Sequence, residues 1–236
     1  MVLLNRITFK KIVNRLRKLF LTGGEISYSQ AGEDMILNCI FLSKRNGFYV
    51  DVGANHPTRA SNTCFFYKKG WTGINIDAFP DAIKLFRKQR RKDINIETGV
   101  NDLKGTLNFY MFKDSSYNTL NEEWVDEIKK WSSLKEVKRI TVKPLFLILS
   151  QLNITSIDFM SVDVEGLDLN VLKSNDWNSF RPKVVLVEDF NPGINIINST
   201  IYEYMSTLGY VYFCKTVTNA FYIEKNFYKE RFDNTF

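Results

Sequence analysis

Residues 47–77 constrain this chain more than any other stretch. An apolar run, Phe48-Tyr49-Val50, leads into Asp51-Val52-Gly53-Ala54-Asn55, and a short helical stretch follows. A second apolar run, Gly73-Ile74-Asn75-Ile76, ends on Asp77, 24 residues after Gly53. Strand, tight turn, helix and strand within that length make a parallel βαβ unit. Small residues at its turn let backbone approach a ligand closely, and an acid closing the second strand accepts hydrogen bonds from ribose hydroxyls. The unit therefore predicts an α/β fold that holds an adenosine-containing ligand.

The turn is not that of a dinucleotide site. Such a site needs G-x-G-x-x-G, so that a pyrophosphate meets the helix N-terminus. Here Gly53 stands alone and Asp51 occupies the place of the first glycine. A carboxylate there repels a pyrophosphate and suits a ligand with positive charge. S-adenosylmethionine carries a sulfonium and an ammonium, and its one carboxylate can meet the helix opening near Ser61.

A chain of 236 residues with 44% hydrophobic and 14% aromatic content can bury one substantial core. Cys39, Cys64 and Cys214 are far apart and form no C-x-x-C pair, which fits a reducing cytosol and no zinc site. The net charge of +6 is confined to the N-terminus. Residues 1–24 hold Arg6, Lys10, Lys11, Arg15, Arg17 and Lys18 and no acid, while the remainder balances 26 bases against 26 acids. A neutral domain of this kind excludes nucleic-acid binding by phosphate neutralisation.

Phe9, Ile12, Val13, Leu16, Leu19 and Phe20 fall on one face of a helix, with the basic residues on the other. Basic amphipathic helices lie on anionic membrane surfaces, or pack their stripe on protein. The stripe is too short to span a bilayer, and no cleavage site follows it. The expectation is a helix over 1–24, hinged at Gly23-Gly24, and a catalytic domain over 25–236. Residues 9–20 would make peripheral contact with the inner face of the membrane, and the enzyme would otherwise be cytoplasmic.

Along the rest of the chain, apolar runs predict strands at 48–52, 73–77, 94–100, 137–143, 157–163 and 183–187, with an extended segment at 107–112. Helices are predicted near 61–69, 81–91, 121–133, 168–174 and 199–208, and the chain closes with a hairpin of 210–215 and 220–224. Strands alternating with helices and closed by an antiparallel pair describe a doubly wound, mostly parallel sheet, the class I methyltransferase arrangement. Loops after Val52, Ile76, Val100, Val162 and Val187 should face one crevice beyond the strand ends.

Six short motifs then occur in order: Ser29-Gln30-Ala31-Gly32-Glu33-Asp34; Phe48 to Asn55; Ser61-Asn62-Thr63; Gly70 to Asp77; Ile157 to Gly166; and Arg181-Pro182-Lys183 leading to Glu188. From about residue 27 to 190 the chain resembles the FkbM-type methyltransferases. That resemblance implies an S-adenosylmethionine-dependent O-methyltransferase acting on a hydroxylated natural product or sugar, as in surface polysaccharide biosynthesis. It implies a cofactor pocket built from Gln30, Asp51, Gly53, Ala54, Asn55, Asn62, Thr63, Asp77 and Asp163. Ala78, Val100 and Asn101, on the strand-end loops, complete it. Many members have Glu where this chain has Asp77, which keeps the ribose acceptor but shortens its reach.

A sugar hydroxyl is a weak nucleophile, so transfer is helped by a base or a metal. Asp163 and Glu165 lie two apart and would share a side if the strand continued, with Gly166 allowing a sharp turn. Glu188 and Asp189 end the next strand. Carboxylates converging there either share a proton or bind a divalent cation, for which Asp163, Glu188 and Asp189 are the candidate ligands. His56 is the only histidine and is a candidate base. Catalysis is thus assigned to Asp163, Glu165 or His56. Aromatic residues Tyr117, Trp124, Trp131 and Phe190 are available to stack on an acceptor.

Two other readings use the same residues less fully. A metal-dependent glycosyltransferase could use Asp163-Val164-Glu165, but leaves the Asp51–Asn55 turn and Asp77 without a role. A non-catalytic membrane module needs only the N-terminal helix.

Overall fold

The computed structural model describes residues 24–42, 44–189 and 199–233. The basic stripe over 9–20 and Phe190 lie outside the described residues. The main sheet and the helices of its first half are α1 (Glu33–Ile40), β1 (Phe48–Val52), α2 (Cys64–Lys68), β2 (Thr72–Asp77), α3 (Pro80–Gln89), β3 (Ile94–Glu97), then, further along, β7 (Phe159–Val162) and β8 (Val184–Glu188), with β10 (Asn219–Glu224) and β9 (Tyr210–Lys215) as the closing hairpin. Three helices, α5 (Leu145–Leu149), α6 (Asp168–Lys173) and α7 (Thr200–Thr207), complete that layer.

The seven strands run in the order β3-β2-β1-β7-β8-β10-β9. All neighbours pair in parallel except those of β10, which is antiparallel to both β8 and β9. The sequence crosses over between β1 and β7, so strand order reverses there. A ligand crevice belongs at that switch point, beyond the carboxyl ends. The expected doubly wound class I methyltransferase sheet, mostly parallel with an antiparallel C-terminal hairpin, is the architecture found.

Period-2 alternation sends neighbouring strand residues to opposite faces. Val50, Met160, Val185, Ala220 and Tyr222 enter one core, against α5, α6 and α7. Tyr49, Phe159, Val184, Leu186 and Phe221 enter the other, with Leu37, Phe65, Phe66 and Trp71. Both faces are therefore buried, which explains why the central strands read as almost unbroken apolar runs.

Residues 99–143 differ from the sequence expectation. The strand predicted at 94–100 is broken. Its first half, β3, completes the main sheet, while β4 (Gly99–Val100) joins β5 (Gly105–Phe112) and β6 (Leu134–Lys143) in a second sheet of order β4-β6-β5. There β5 pairs antiparallel with β6. The helix expected at 121–133 is a 3-10 turn (Glu122–Trp124) running into a four-residue helix, α4 (Val125–Ile128). Its apolar residues Val125 and Ile128 pack with Tyr110 and Phe112 of the small sheet, making a separate minor core. No helix among the described residues is long and apolar enough to cross a membrane.

Candidate active site

The carboxyl ends of β1, β2, β7 and β8 open onto a crevice of about 330 Å³, within the range of small-ligand sites. It begins at Gly53. This residue adopts φ +79°, and a Cβ placed on it would stand 1.7 Å from the Asp163 carbonyl oxygen. No side chain fits, so only glycine lets the β1 turn lie against the end of β7. The register is held by the Asp163 N–H, which donates to Val52 O at 3.0 Å.

Asp77 ends β2 with both carboxylate oxygens engaged by backbone. The Asn55 N–H donates to Oδ2 at 2.7 Å and the Phe79 N–H to Oδ1 at 2.6 Å. Those bonds fix its orientation, and each carboxylate oxygen has capacity for a further donor at the crevice that Asp77 lines. Asp51 lies one layer deeper, accepting from the Thr63 hydroxyl at 2.7 Å.

Arg90, the C-cap of α3, was legible only as one more base on a basic helix, yet it is 1% exposed. Its Nε and Nη2 donate to Pro57 O (3.0 and 2.5 Å), Nη2 to Ser61 Oγ (2.8 Å), and Nη1 to Thr63 Oγ1 (2.7 Å) and Tyr49 OH (3.3 Å). Asp93 neutralises it at 3.9 Å and accepts from the Tyr49 hydroxyl. The whole loop 57–63, which carries the crevice residues Ala60, Ser61 and Asn62, is thus pinned from behind by one buried guanidinium.

The opposite wall is acidic. β7 ends at Val162, so Asp163 and Glu165 do not share a strand face. The chain instead turns at Glu165, held at φ +55°, and Gly166, at +100°. Asp168 stabilises that turn, its Oδ1 accepting from the Val164 N–H (3.1 Å) and its Oδ2 from the Gly166 N–H (3.2 Å). The turn brings Glu165 back toward Asp163, and Glu188 of β8 joins them, with one oxygen of each acid within 4.8 Å of the others.

Asp189 is not among the three. Successive strand residues point to opposite sides, and its Oδ2 accepts from Ser199 Oγ at 2.5 Å, at the N-terminus of α7. The third member of the expected ligand set is replaced by Glu165.

Burial raises the pKa of Asp163, Glu165, Asp168 and Glu188; the charge of Asp51 adds to the rise at Asp163, and the charge of Asp163 adds to it at the other three. A proton shared between Asp163 and Glu188 lowers the first and raises the second, so it resides on Glu188. Burial likewise lifts Asp51 and Asp77 from near 3.8 to about 6.

The unfolded chain releases these protons near pH 4 and the folded chain near 6. The stability they contribute is complete below 4 and lost as pH rises through 6. Glu33 and Asp158 act in reverse. Burial would raise them, but hydrogen bonds outweigh it and hold both below their ordinary values. Their contribution is lost below about pH 4. In chelator and without ligand, the protein should therefore melt at a higher temperature at pH 5 than at pH 8. A melting temperature that climbs steadily to pH 8 would show the crevice acids ionised and solvated.

Gln30, Asp51, Gly53, Ala54, Asn55, Asn62, Asp77, Ala78, Val100, Asp163, Glu165 and Glu188 all line the crevice. Besides Asp189, three expected members do not. Thr63 sits behind it, bridging Asp51 and Arg90. Asn101 faces α6, accepting from Asn170 Nδ2 at 3.3 Å. His56 is also outside the lining; its Nδ1 accepts from the Thr58 and Arg59 N–H groups, each at 3.1 Å. Burial, then the charges of Arg59 and Arg90, lowers its pKa. The geometry makes it the cap of a turn.

The acids of the Gln30 motif are structural too. Glu33 accepts from Thr216 Oγ1 (2.7 Å) and the Ala31 N–H (2.8 Å), tying the closing hairpin to the loop that presents Gln30.

The segment joining β5 to β6 roofs the crevice with Ser115, Ser116, Tyr117, Asn118 and Leu120. Ser115 Oγ donates to Asn55 Oδ1 (3.1 Å), Thr119 Oγ1 to Glu165 O (2.7 Å) and Asn121 Nδ2 to Gly166 O (3.3 Å). Tyr117 reaches the crevice, Trp124 packs over Gly166, and Trp131 is 75% exposed.

An acid-walled crevice at the switch point of a seven-stranded sheet whose last strands reverse is the arrangement of a class I methyltransferase. The family model described as the methyltransferase FkbM domain matches residues 51–212, well over half of the chain. The chain belongs to the FkbM methyltransferase family, whose members take their methyl group from S-adenosylmethionine. The matched span opens at Asp51, leaving the Gln30 motif outside, and runs past Glu188 into the closing hairpin.

No curated protein matches the sequence significantly. Among solved structures, the chain is similar to a TehB-like SAM-dependent methyltransferase from Corynebacterium glutamicum, at 11% identity over 94% of this chain and 100% of that one (TM-score 0.43). It is also similar to a precorrin-6y C5,15-methyltransferase from Geobacter metallireducens, at 8% identity over 80% and 85% (TM-score 0.40). The fold assignment rests on strand order rather than on these likenesses.

Proposed function

We propose that this methyltransferase transfers the methyl group of S-adenosylmethionine to a hydroxyl of a sugar or similar hydroxylated small molecule. The observation that carries the reading is the acid trio Asp163, Glu165 and Glu188 in a crevice that also holds a strand-end acid for ribose.

The residues fit such a cofactor. Asp77 is oriented to accept from the ribose, Gly53 and Ala54 leave room for adenosyl approach, and the acid-rich wall suits a sulfonium and an ammonium. When bound, the cofactor supplies an electrophilic methyl group and leaves as a neutral thioether. The chain's own task is to hold the acceptor oxygen in line with that methyl group and to receive its proton. Asp163 and Glu165 are the acids placed to receive it, directly or with a divalent cation between them. The roof residues Tyr117 and Asn118 would contact the acceptor. A polar acceptor, rather than an apolar one, matches a crevice lined by serines, asparagines and acids.

Asp77→Ala tests the cofactor half of the reading. Loss of a charge-assisted pair of hydrogen bonds costs about 2 kcal/mol, so affinity for S-adenosylmethionine by calorimetry should fall roughly thirtyfold. An unchanged affinity would remove Asp77 from the ribose. Titration with a UDP-sugar in parallel addresses the glycosyltransferase alternative, which requires binding of that ligand instead.

A further inference from the structure

We propose that Asp163, Glu165 and Glu188 form a binding site for one oxygen-seeking divalent cation, Mg²⁺ or Mn²⁺, in the wall of the crevice. The cation's use rests on the methyltransferase reading; its geometry does not. Each acid offers an oxygen within 4.8 Å of the other two, the spread of ligands around a single ion at metal–oxygen distances of about 2.1–2.5 Å.

A second observation is independent of that clustering. Glu188 is 6% exposed and lines the crevice, and its Oε2 has no hydrogen-bond partner among the described residues. A carboxylate oxygen stripped of water and left without a donor is costly. The Val164 and Gly166 N–H groups of the Asp163–Gly166 turn are themselves committed to Asp168.

Nor does the protein supply a positive charge. Among the described residues no lysine or arginine forms an ion pair with any of the three acids, whereas the buried acids Asp93 and Asp158 both have such partners. A proton shared between Asp163 and Glu188 satisfies two of the acids and leaves Glu165 to one side. A divalent ion satisfies all three at once.

The all-oxygen donor set selects hard cations over zinc. The three ligands come from one wall, so the positions facing the crevice stay open to water or to the acceptor hydroxyl. A cation there would acidify that hydroxyl and fix its direction toward the methyl group.

The test is titration of the full chain with Mn²⁺ at neutral pH without S-adenosylmethionine, with free Mn²⁺ read by electron paramagnetic resonance. One Mn²⁺ per chain should bind, Mg²⁺ should compete for it, and Glu188→Gln should weaken it at least tenfold. Without an ion Glu188 already carries the shared proton, so the neutral amide takes its place at little cost. The variant's melting temperature in chelator should equal or exceed that of the parent, while the gain on adding Mn²⁺ disappears. Should Glu188→Gln not fold, Asp163→Asn carries the same expectation.

No binding at millimolar Mn²⁺, or equal binding by the parent and both variants, overturns the site. S-adenosylmethionine is titrated into the same samples. If it binds while Mn²⁺ does not, the cation is wrong and the methyltransferase reading stands; the trio then faces the cofactor's ammonium. If Mn²⁺ binds and S-adenosylmethionine does not, the cation site stands and that reading fails.

Discussion

Gly53→Ala should yield a protein that neither binds S-adenosylmethionine nor holds its fold at ordinary temperature. Two costs combine. At φ +79° an alanine pays roughly 1–2 kcal/mol for the left-handed backbone. The larger cost is steric, because the new methyl group would lie 1.7 Å from Asp163 O and 2.7 Å from Asp163 C. Both are backbone atoms, so no rotamer change relieves the overlap, and the ends of β1 and β7 must separate.

That separation breaks the bond from Asp163 N–H to Val52 O and opens the centre of the sheet. A loss of more than about 4 kcal/mol is expected, a large fraction of the 5–15 kcal/mol available to a domain. Urea denaturation followed by circular dichroism measures it, and calorimetry measures cofactor binding. A variant with the parental midpoint and affinity would mean that the two strand ends do not meet.

The second large effect is kinetic. Asp163→Asn preserves shape and removes one acid of the trio it forms with Glu165 and Glu188. If Asp163 takes part in receiving the acceptor proton, methyl transfer should fall about 10³-fold. The readout is labelled S-adenosylmethionine with a panel of glycans and nucleotide sugars, which also identifies the acceptor class.

Stability should move the other way. One negative charge fewer in a buried acidic cluster relieves repulsion, so the melting temperature should not drop. Transfer within tenfold of the parent would dismiss Asp163 from the chemistry. A drop in both activity and melting temperature would assign it a structural part instead.

The parallel half of the fold was legible because its information is local. Apolar runs of four to six residues, a turn of small residues and the interval to Asp77 all lie within one βαβ unit. The closing hairpin was legible for the same reason. The small sheet was not, because β5 and β6 are joined through residues 113–133 and carry exposed polar positions such as Lys135, Lys138 and Arg139. Their pairing is a tertiary fact. The break between Glu97 and Gly99 follows from it, since Gly99 leaves the main sheet to pair with Val142.

At the site, single-strand geometry misled in two places. Asp163 and Glu165 do converge, but through a left-handed turn capped by Asp168 rather than along a strand face. Asp189, adjacent to Glu188 in sequence, points the other way for the alternation that the strand itself imposes. His56 sits next to the glycine turn, and its position alone suggested a base. Its ring nitrogen is instead used by two backbone N–H groups. Arg90 carried no local signal, because its partners Tyr49, Pro57, Ser61 and Thr63 lie 27 to 41 residues away.

The Arg90 hub has an evolutionary consequence. Its five donors are all spent on groups from β1 and the loop after it, and Asp93 after α3 supplies the counter-charge, so those positions form one unit of inheritance. Replacing Thr63 or Ser61 alone leaves a buried guanidinium short of an acceptor, and replacing Arg90 alone leaves Asp93 short of its counter-charge. Such positions are strongly non-additive, and drift through single substitutions is closed to them. The roof residues that we propose touch the acceptor are free of that constraint. A lineage can therefore change what it methylates while the cradle for the methyl donor stays locked by a charge that never meets the ligand.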